Sequence, residues 1–210
     1  MRFEVMLEGD SDVPVVREVF QRRFGMKEIL DFRLHAHQGK GTLRLDPNHR
    51  PELNQRGLLD QLPAKLRGMS HLTSDTCILV LLDLDKDDCV LLLGQLKNEL
   101  LNKLGKRPPN VEFRLAIEEI ESWLIADHEA VKLAFPRAKV GALRIINADA
   151  RVGAWEMLAK ALGLRPNLIT GADKFAWATE IAPHLNLDAP KSPSFRRFIS
   201  AIERLSGKTS

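Results

Sequence analysis

Three groups of acidic residues, far apart in the chain, carry the chemistry that this sequence is equipped to do. Glu8 follows a short apolar segment, residues 3–7. Asp83 and Asp85 follow the apolar run 77–82, with Ile78, Leu79, Val80, Leu81 and Leu82 in succession. Glu118, Glu119 and Glu121 follow residues 111–117. Carboxylates gathered within a few ångströms repel one another, and their pKa values rise unless a cation compensates. Magnesium suits that task, because it takes oxygen ligands and commonly binds one or two carboxylates together with substrate phosphates. Asp83 and Asp85 lie two apart, so both point to one side if the chain is extended there. In the third group two arrangements are open. If a helix has begun, Glu118 and Glu121 share a face; if residue 119 is still extended, Glu119 and Glu121 do. One acid after a strand is ordinarily a turn or cap residue, and one Glu in a helix is ordinarily solvated. The repetition at three segment ends is what points to a metal centre.

Those ends matter because of the elements that lead to them. At 210 residues, 44% hydrophobic and 28% charged, the chain is an ordinary globular domain, or one with a small appendage. Residues 3–7 read as a strand and residues 8–12 as a turn. Ser11 or Asp12 is placed to cap a helix through Val15, Val16, Val19, Phe20 and Phe24, with Pro14 in its first turn and Gly25 at its end. A second strand is expected at 29–37, an irregular polar stretch at 47–57, and a helix at 58–69 that Pro63 weakens. The continuous apolar run 77–82 predicts a strand covered on both faces, as in a parallel sheet. A helix at 89–104, a strand at 111–117 and a helix opening at 118–126 follow. Residues 1–127 thus alternate strand and helix, which predicts an α/β core with a mainly parallel four-stranded sheet flanked by helices. Ligands of such sheets bind beyond the carboxyl ends of the strands, where the acids fall. Residues 128–210 read as a helical C-terminal extension packed on that core, with helices near 150–162, 172–185 and 194–205.

Other features narrow the function. The sequence has no tyrosine, which excludes a tyrosine nucleophile. The net charge of +3 gives no global basic field, and only local clusters of Lys and Arg remain for nucleic acid. Charges in the first ten residues argue against a signal peptide, and no apolar run is long enough to span a bilayer; a cytoplasmic protein with free Cys77 and Cys89 is expected. His35 and His37 share a strand face but lack a third ligand. Lys40, between Gly39 and Gly41, is suited to a phosphate or is an ordinary loop lysine, and no Walker-type spacing surrounds it. Lys174 is suited to neutralising a phosphate at the acidic site. Trp123, Trp155 and Trp177 read as core or interface residues rather than stacking platforms. Lys191, Arg196, Arg197 and Arg204 form either a nucleic-acid track or a solvated face.

The segments Leu-Glu-Gly-Asp-Ser-Asp at 7–12 and Leu-Leu-Asp-Leu-Asp-Lys-Asp-Asp at 81–88 resemble the TOPRIM fold. That fold occurs in topoisomerases, bacterial primases, small ribosomal-RNA maturases and the overcoming-lysogenization-defect nucleases. Its pattern is a Glu after the first strand and Asp-x-Asp after the third. Residues 115–127 resemble more closely a bacterial family, the domain of unknown function numbered 4276. Its E-x-E-x-W-L-x-A-D signature is matched by Glu119, Glu121, Trp123, Leu124, Ala126 and Asp127. Residues 37–43 and 191–205, with Ser194 and Phe195, are similar to it too. The TOPRIM resemblance implies magnesium, or manganese in its place, bound through Glu8 and through Asp83 and Asp85, acting on phosphodiester bonds. Glu8 would be a general base or a ligand, and Glu119 or Glu121 would complete the site. It also implies an ABC-type ATPase partner in phage defence. Topoisomerase chemistry is excluded by the missing tyrosine, and no zinc module or primer-synthesis domain supports a primase. The expected function is therefore magnesium-dependent hydrolysis of a phosphodiester in DNA or RNA. Its rivals are a non-catalytic module binding nucleic acid or a protein partner with a regulatory metal, a small-molecule phosphohydrolase, and a scaffold in which the acids are caps.

Overall fold

The structure is a computed structural model that describes residues 1–143 and 153–207. Along the chain run β1 (Arg2–Leu7), α1 (Val13–Glu18), β2 (Phe32–Ala36), α2 (Leu58–Gly68), β3 (Thr76–Asp83), α3 (Cys89–Gly94), α4 (Leu101–Lys103), β4 (Asn110–Ala116), α5 (Glu121–Ala126), α6 (His128–Ala134), α7 (Ala154–Ala161), α8 (Gly171–Ile181) and α9 (Pro193–Ser206). Wider, π-type turns extend α1 through Val19–Arg23 and join α3 to α4 through Gln95–Leu100.

Two compact units are present, interleaved along the chain. The first comprises Met1–Asp10, Lys27–Leu82 and Asp87–Leu115; the second comprises Ser11–Met26, Asp83–Lys86 and Ala116–Ser210. The first holds nearly all of a four-stranded parallel sheet in the order β2-β1-β3-β4. In the register of β1, Val5 pairs with Leu34 of β2 and Leu79 of β3. From Thr76 to Leu82 β3 is buried throughout, as its unbroken apolar run requires of a central parallel strand. The helices of this unit bury Leu58, Leu62 and Leu66 on α2, Leu92 on α3, and Leu96 and Leu100 in the π-type turns that follow it. The helix α2 persists through a buried Pro63, which forgoes one backbone bond.

The second unit is helical. Its core centres on Trp123, 1% exposed, whose Nε1–H donates to Ser194 Oγ at 2.8 Å. The indole stacks on Phe195 with ring centroids 4.5 Å apart, and Phe198 lies at 5.4 Å. Ser192 caps α9 by accepting the Phe195 N–H at 3.1 Å. Arg22 donates to the Ala182 and Leu185 carbonyls, which carry the chain after α8.

Several sequence expectations change at their edges. The second strand starts at Phe32, because Ile29 stands at φ 74° in a turn closed by Asp31 N–H on the Lys27 carbonyl at 2.8 Å. Asp12 holds the cap position of α1 without a capping bond. The helix expected to open at residue 118 starts at Glu121, since Glu118 has a left-handed backbone, φ 66°, that a helix cannot contain. Helix α6 was not foreseen; Asp127 caps it by accepting the Ala130 N–H at 3.3 Å. The helix expected from residue 150 is seen from Ala154, after Gly153 at φ 57°, while residues 150–152 lie outside the described ones.

Candidate metal and phosphate site

The second unit brings together the acids that follow β3 and those that follow β4. Leu84 N–H donates to the Ala116 carbonyl at 2.8 Å and Asp85 N–H to the Glu118 carbonyl at 3.0 Å. Asp83 Oδ1 accepts the Ile120 N–H at 3.1 Å. Two segments remote in sequence are therefore stitched at their acidic residues. Leu84 is buried while Asp85 is exposed at φ 51°, so the extended alternation that would align Asp83 with Asp85 stops at Asp83. Among the described residues the non-glycine positions of positive φ are Ile29, Asp85 and Glu118, and the last two are hydrogen-bonded to each other. A left-handed backbone under a side chain costs about 1–3 kcal/mol and gathers at functional sites.

The three glutamates part company. Glu118 is buried and accepts the Ala154 N–H, at the start of α7, at 3.2 Å. Burial, then the Glu119 charge, raise its pKa, and the backbone N–H groups of Gly153 and Ala154 oppose the rise. Glu119 and Glu121 converge on Lys174, whose Nζ lies 2.9 Å from Glu119 Oε2 and 3.3 Å from Glu121 Oε1. That is the pairing expected had residue 119 been extended, here produced by a turn. Burial first, and Glu121 second, push the Glu119 carboxyl up to about 7 even though Lys174 pulls it down. Burial works against the Lys174 charge too, but Glu121 and Glu119 outweigh it and raise its pKa. The ammonium also faces the Trp155 ring, 5.0 Å from its centroid.

Lys174 is held in place from below. Thr170 Oγ1 accepts the Asp173 N–H at 3.4 Å, and Asp173 Oδ2 accepts the Thr170 N–H at 2.8 Å. This reciprocal capping box fixes the first turn of α8, from which Lys174 projects. Sequence reading missed it, although Thr-x-x-Asp is its signal.

Glu8 and Lys40 belong to the first unit. Glu8 is buried just past β1, and its carbonyl accepts the Gly39 N–H at 2.8 Å. Lys40 Nζ pairs with Asp87 Oδ2 at 2.8 Å. The carbonyls of Gly39 and Lys40 accept the Leu58 and Leu59 N–H groups at 2.9 and 2.7 Å, so the loop itself satisfies the start of α2. A Cβ on Gly41 would stand 2.3 Å from Asp60 Oδ2, and one on Gly57 2.3 Å from Gly41 Cα, which explains glycine at both positions. The two histidines diverge: His35 Nε2 meets Glu4 Oε2 at 2.6 Å and His37 Nδ1 meets the Leu7 carbonyl at 2.8 Å.

Magnesium fits the chemistry of Asp83, Asp85, Glu119 and Glu121, which are hard oxygen donors; burial first and the Glu121 charge second raise the Glu119 pKa, and a cation would oppose both. The donors are not preassembled: among the described residues no three His, Cys, Asp or Glu side chains stand together in metal-holding geometry.

Comparison with known proteins bears on fold and family. The C-terminal region of the Xanthomonas campestris pv. campestris OLD protein superposes with a TM-score of 0.51 at 14% identity, over 98% of this chain and 96% of that one. The likeness establishes the α/β fold with its helical remainder. No curated protein matches the sequence. Among the described residues, no helix is long and apolar enough to cross a membrane. Residues 7–203 match the model of the family described as "Domain of unknown function (DUF4276)", and the chain belongs to that family.

Proposed function

We propose that the chain is a magnesium-dependent hydrolase of phosphodiester bonds in nucleic acid. The observation that carries this reading is the stitching of Asp83 and Asp85 to the Glu118–Ile120 turn, which brings the acids after β3 beside the segment whose Glu119 and Glu121 hold Lys174. Asp83, Asp85, Glu119 and Glu121 would hold the metal, which supplies charge stabilisation on the attacking and leaving oxygens. Lys174, charged in this surrounding, would exchange a carboxylate partner for a substrate phosphate. Glu8 enters through the Glu and Asp-x-Asp pattern alone, and Glu8→Gln tests it as base or ligand. The OLD likeness in fold supports a nuclease-like module, and an ABC-type ATPase partner in phage defence rests on resemblance, to be tested by co-purification.

Calorimetric titration of magnesium and manganese into wild type and the Asp83→Ala/Asp85→Ala variant tests the site. Saturable binding lost in the variant, followed by metal-dependent cleavage of DNA or RNA, supports the reading. Binding unchanged in the variant sinks it. A second reading is favoured by one observation: Lys174 already bridges Glu119 and Glu121. In that reading the cluster is a structural ion pair in a non-catalytic module. It predicts that wild type takes up no metal, with or without an oligonucleotide present.

A further inference from the structure

The tryptophans occupy three different environments. Trp123 is 1% exposed and Trp177 5% exposed, both within the helical core. Trp155 is only half-buried. It stands in the first turn of α7, directly after Ala154, whose N–H binds Glu118. Its ring centroid is 5.0 Å from the Lys174 ammonium, which in turn lies 2.9 Å from Glu119 and 3.3 Å from Glu121. A half-buried tryptophan is thus separated from the carboxylates by one lysine side chain, whose ammonium lies over the ring.

We propose that Trp155 is a base-stacking platform that seats one unpaired nucleobase while Lys174 takes the adjoining phosphate. The proposal rests on the nuclease reading and deepens it by naming the substrate class: single-stranded or locally unpaired nucleic acid. A nucleotide presents a flat π-surface and an anion joined by one sugar. Trp155 and Lys174 present the complementary pair, an aromatic ring and a cation that lies over it, 5.0 Å from its centroid. Stacking on an aromatic residue is indifferent to base identity, since every base has a π-face, but requires the base to be free of its own partner. Duplex substrate would have to unstack a base before using the site. Serving only as a lid on Lys174 would not require Trp155 to keep part of its surface accessible.

The test uses the full chain in magnesium and two labelled oligonucleotides of one length, one normal and one wholly abasic, followed by fluorescence anisotropy. Wild type is expected to bind the normal strand about tenfold more tightly than the abasic one, within the range of one stacked base. Trp155→Ala should bind both alike, and Trp155→Phe should retain most of the preference. The intrinsic signal gives a second readout on a variant that keeps an aromatic ring. The normal strand should quench part of the wild-type tryptophan emission, and Trp155→Phe should lose that part. Equal affinity of wild type for normal and abasic strands, or unchanged quenching in Trp155→Phe, overturns the platform while leaving the nuclease reading standing. Failure of wild type to bind either strand overturns both.

Discussion

Within residues 118–127 two neighbouring stretches behave in opposite ways. The turn from Glu118 to Glu121 crowds carboxylates, raises the pKa of two of them and contains a left-handed glutamate. One turn later, Trp123, Leu124 and Ile125 are 1%, 0% and 3% exposed, and the Asp127 side chain caps α6 and accepts the Asn186 N–H at 2.8 Å. The first stretch carries unfavourable terms and the second holds the chain down beside it. A signature such as E-x-E-x-W-L-x-A-D is therefore two devices in one block: crowded acids at its head, and anchors that keep those acids where they would not otherwise stay.

The sharpest way to break this contrast is to exchange the costs. Trp123→Ala removes a stacked, hydrogen-bonded core indole and should cost about 3–5 kcal/mol of stability in urea unfolding. Glu119→Gln should change stability by less than about 1 kcal/mol, because it removes an unfavourable charge along with an ion pair of Lys174. Its effect should appear in magnesium affinity, reduced at least about tenfold, the loss seen even when outer-shell partners of a metal are removed. If Glu119→Gln destabilised as strongly as Trp123→Ala, the glutamate would be an anchor and the contrast would collapse.

A smaller effect sharpens the same contrast. Thr170→Ala deletes half the capping box of α8 and should cost about 1 kcal/mol, read as a lower melting temperature. Asp85→Gly should move stability the other way, gaining about 1 kcal/mol by relieving a left-handed backbone, while weakening magnesium binding. Loss of stability in Asp85→Gly would mean that its side chain secures the turn.

The strand ends were legible because an all-apolar run such as 77–82 announces a buried parallel strand, and the acid that stops it must lie at the sheet edge. The roles of the individual glutamates were not. No local preference places Glu118 at positive φ; that conformation follows from the bonds of its carbonyl to Asp85 and of its carboxylate to Ala154, both remote in sequence. Lys174 was singled out as a phosphate partner, but its bonds to Glu119 and Glu121 depend on how α8 packs, which periodicity does not encode. Helix α6 and the Thr170 capping box were readable from Asp127 and from Thr-x-x-Asp, signals that an emphasis on apolar periodicity passed over.

The first unit offers the mirror image of Glu119. His37, only 8% exposed, has its pKa lowered, first by burial and also by the nearby Lys65 charge, despite its bond to the Leu7 carbonyl. Its Nε2 has no hydrogen-bond partner among the described residues. Desolvation opposes charge in both places, holding the histidine neutral as it favours a protonated glutamate. Because the folded pKa lies below the ordinary 6.5, the unfolded chain binds the proton first as pH falls. Stability contributed by neutral His37 is therefore complete above pH about 6.5 and is lost below it, with a slope of at most about 1.4 kcal/mol per pH unit. Urea midpoints between pH 5 and 7.5 should show this decline in wild type and a shallower one in His37→Asn, whose amide can still donate to the Leu7 carbonyl. Identical slopes would assign the decline to other groups and would mean that burial acts on charge less strongly at the end of β2 than it does beside Lys174.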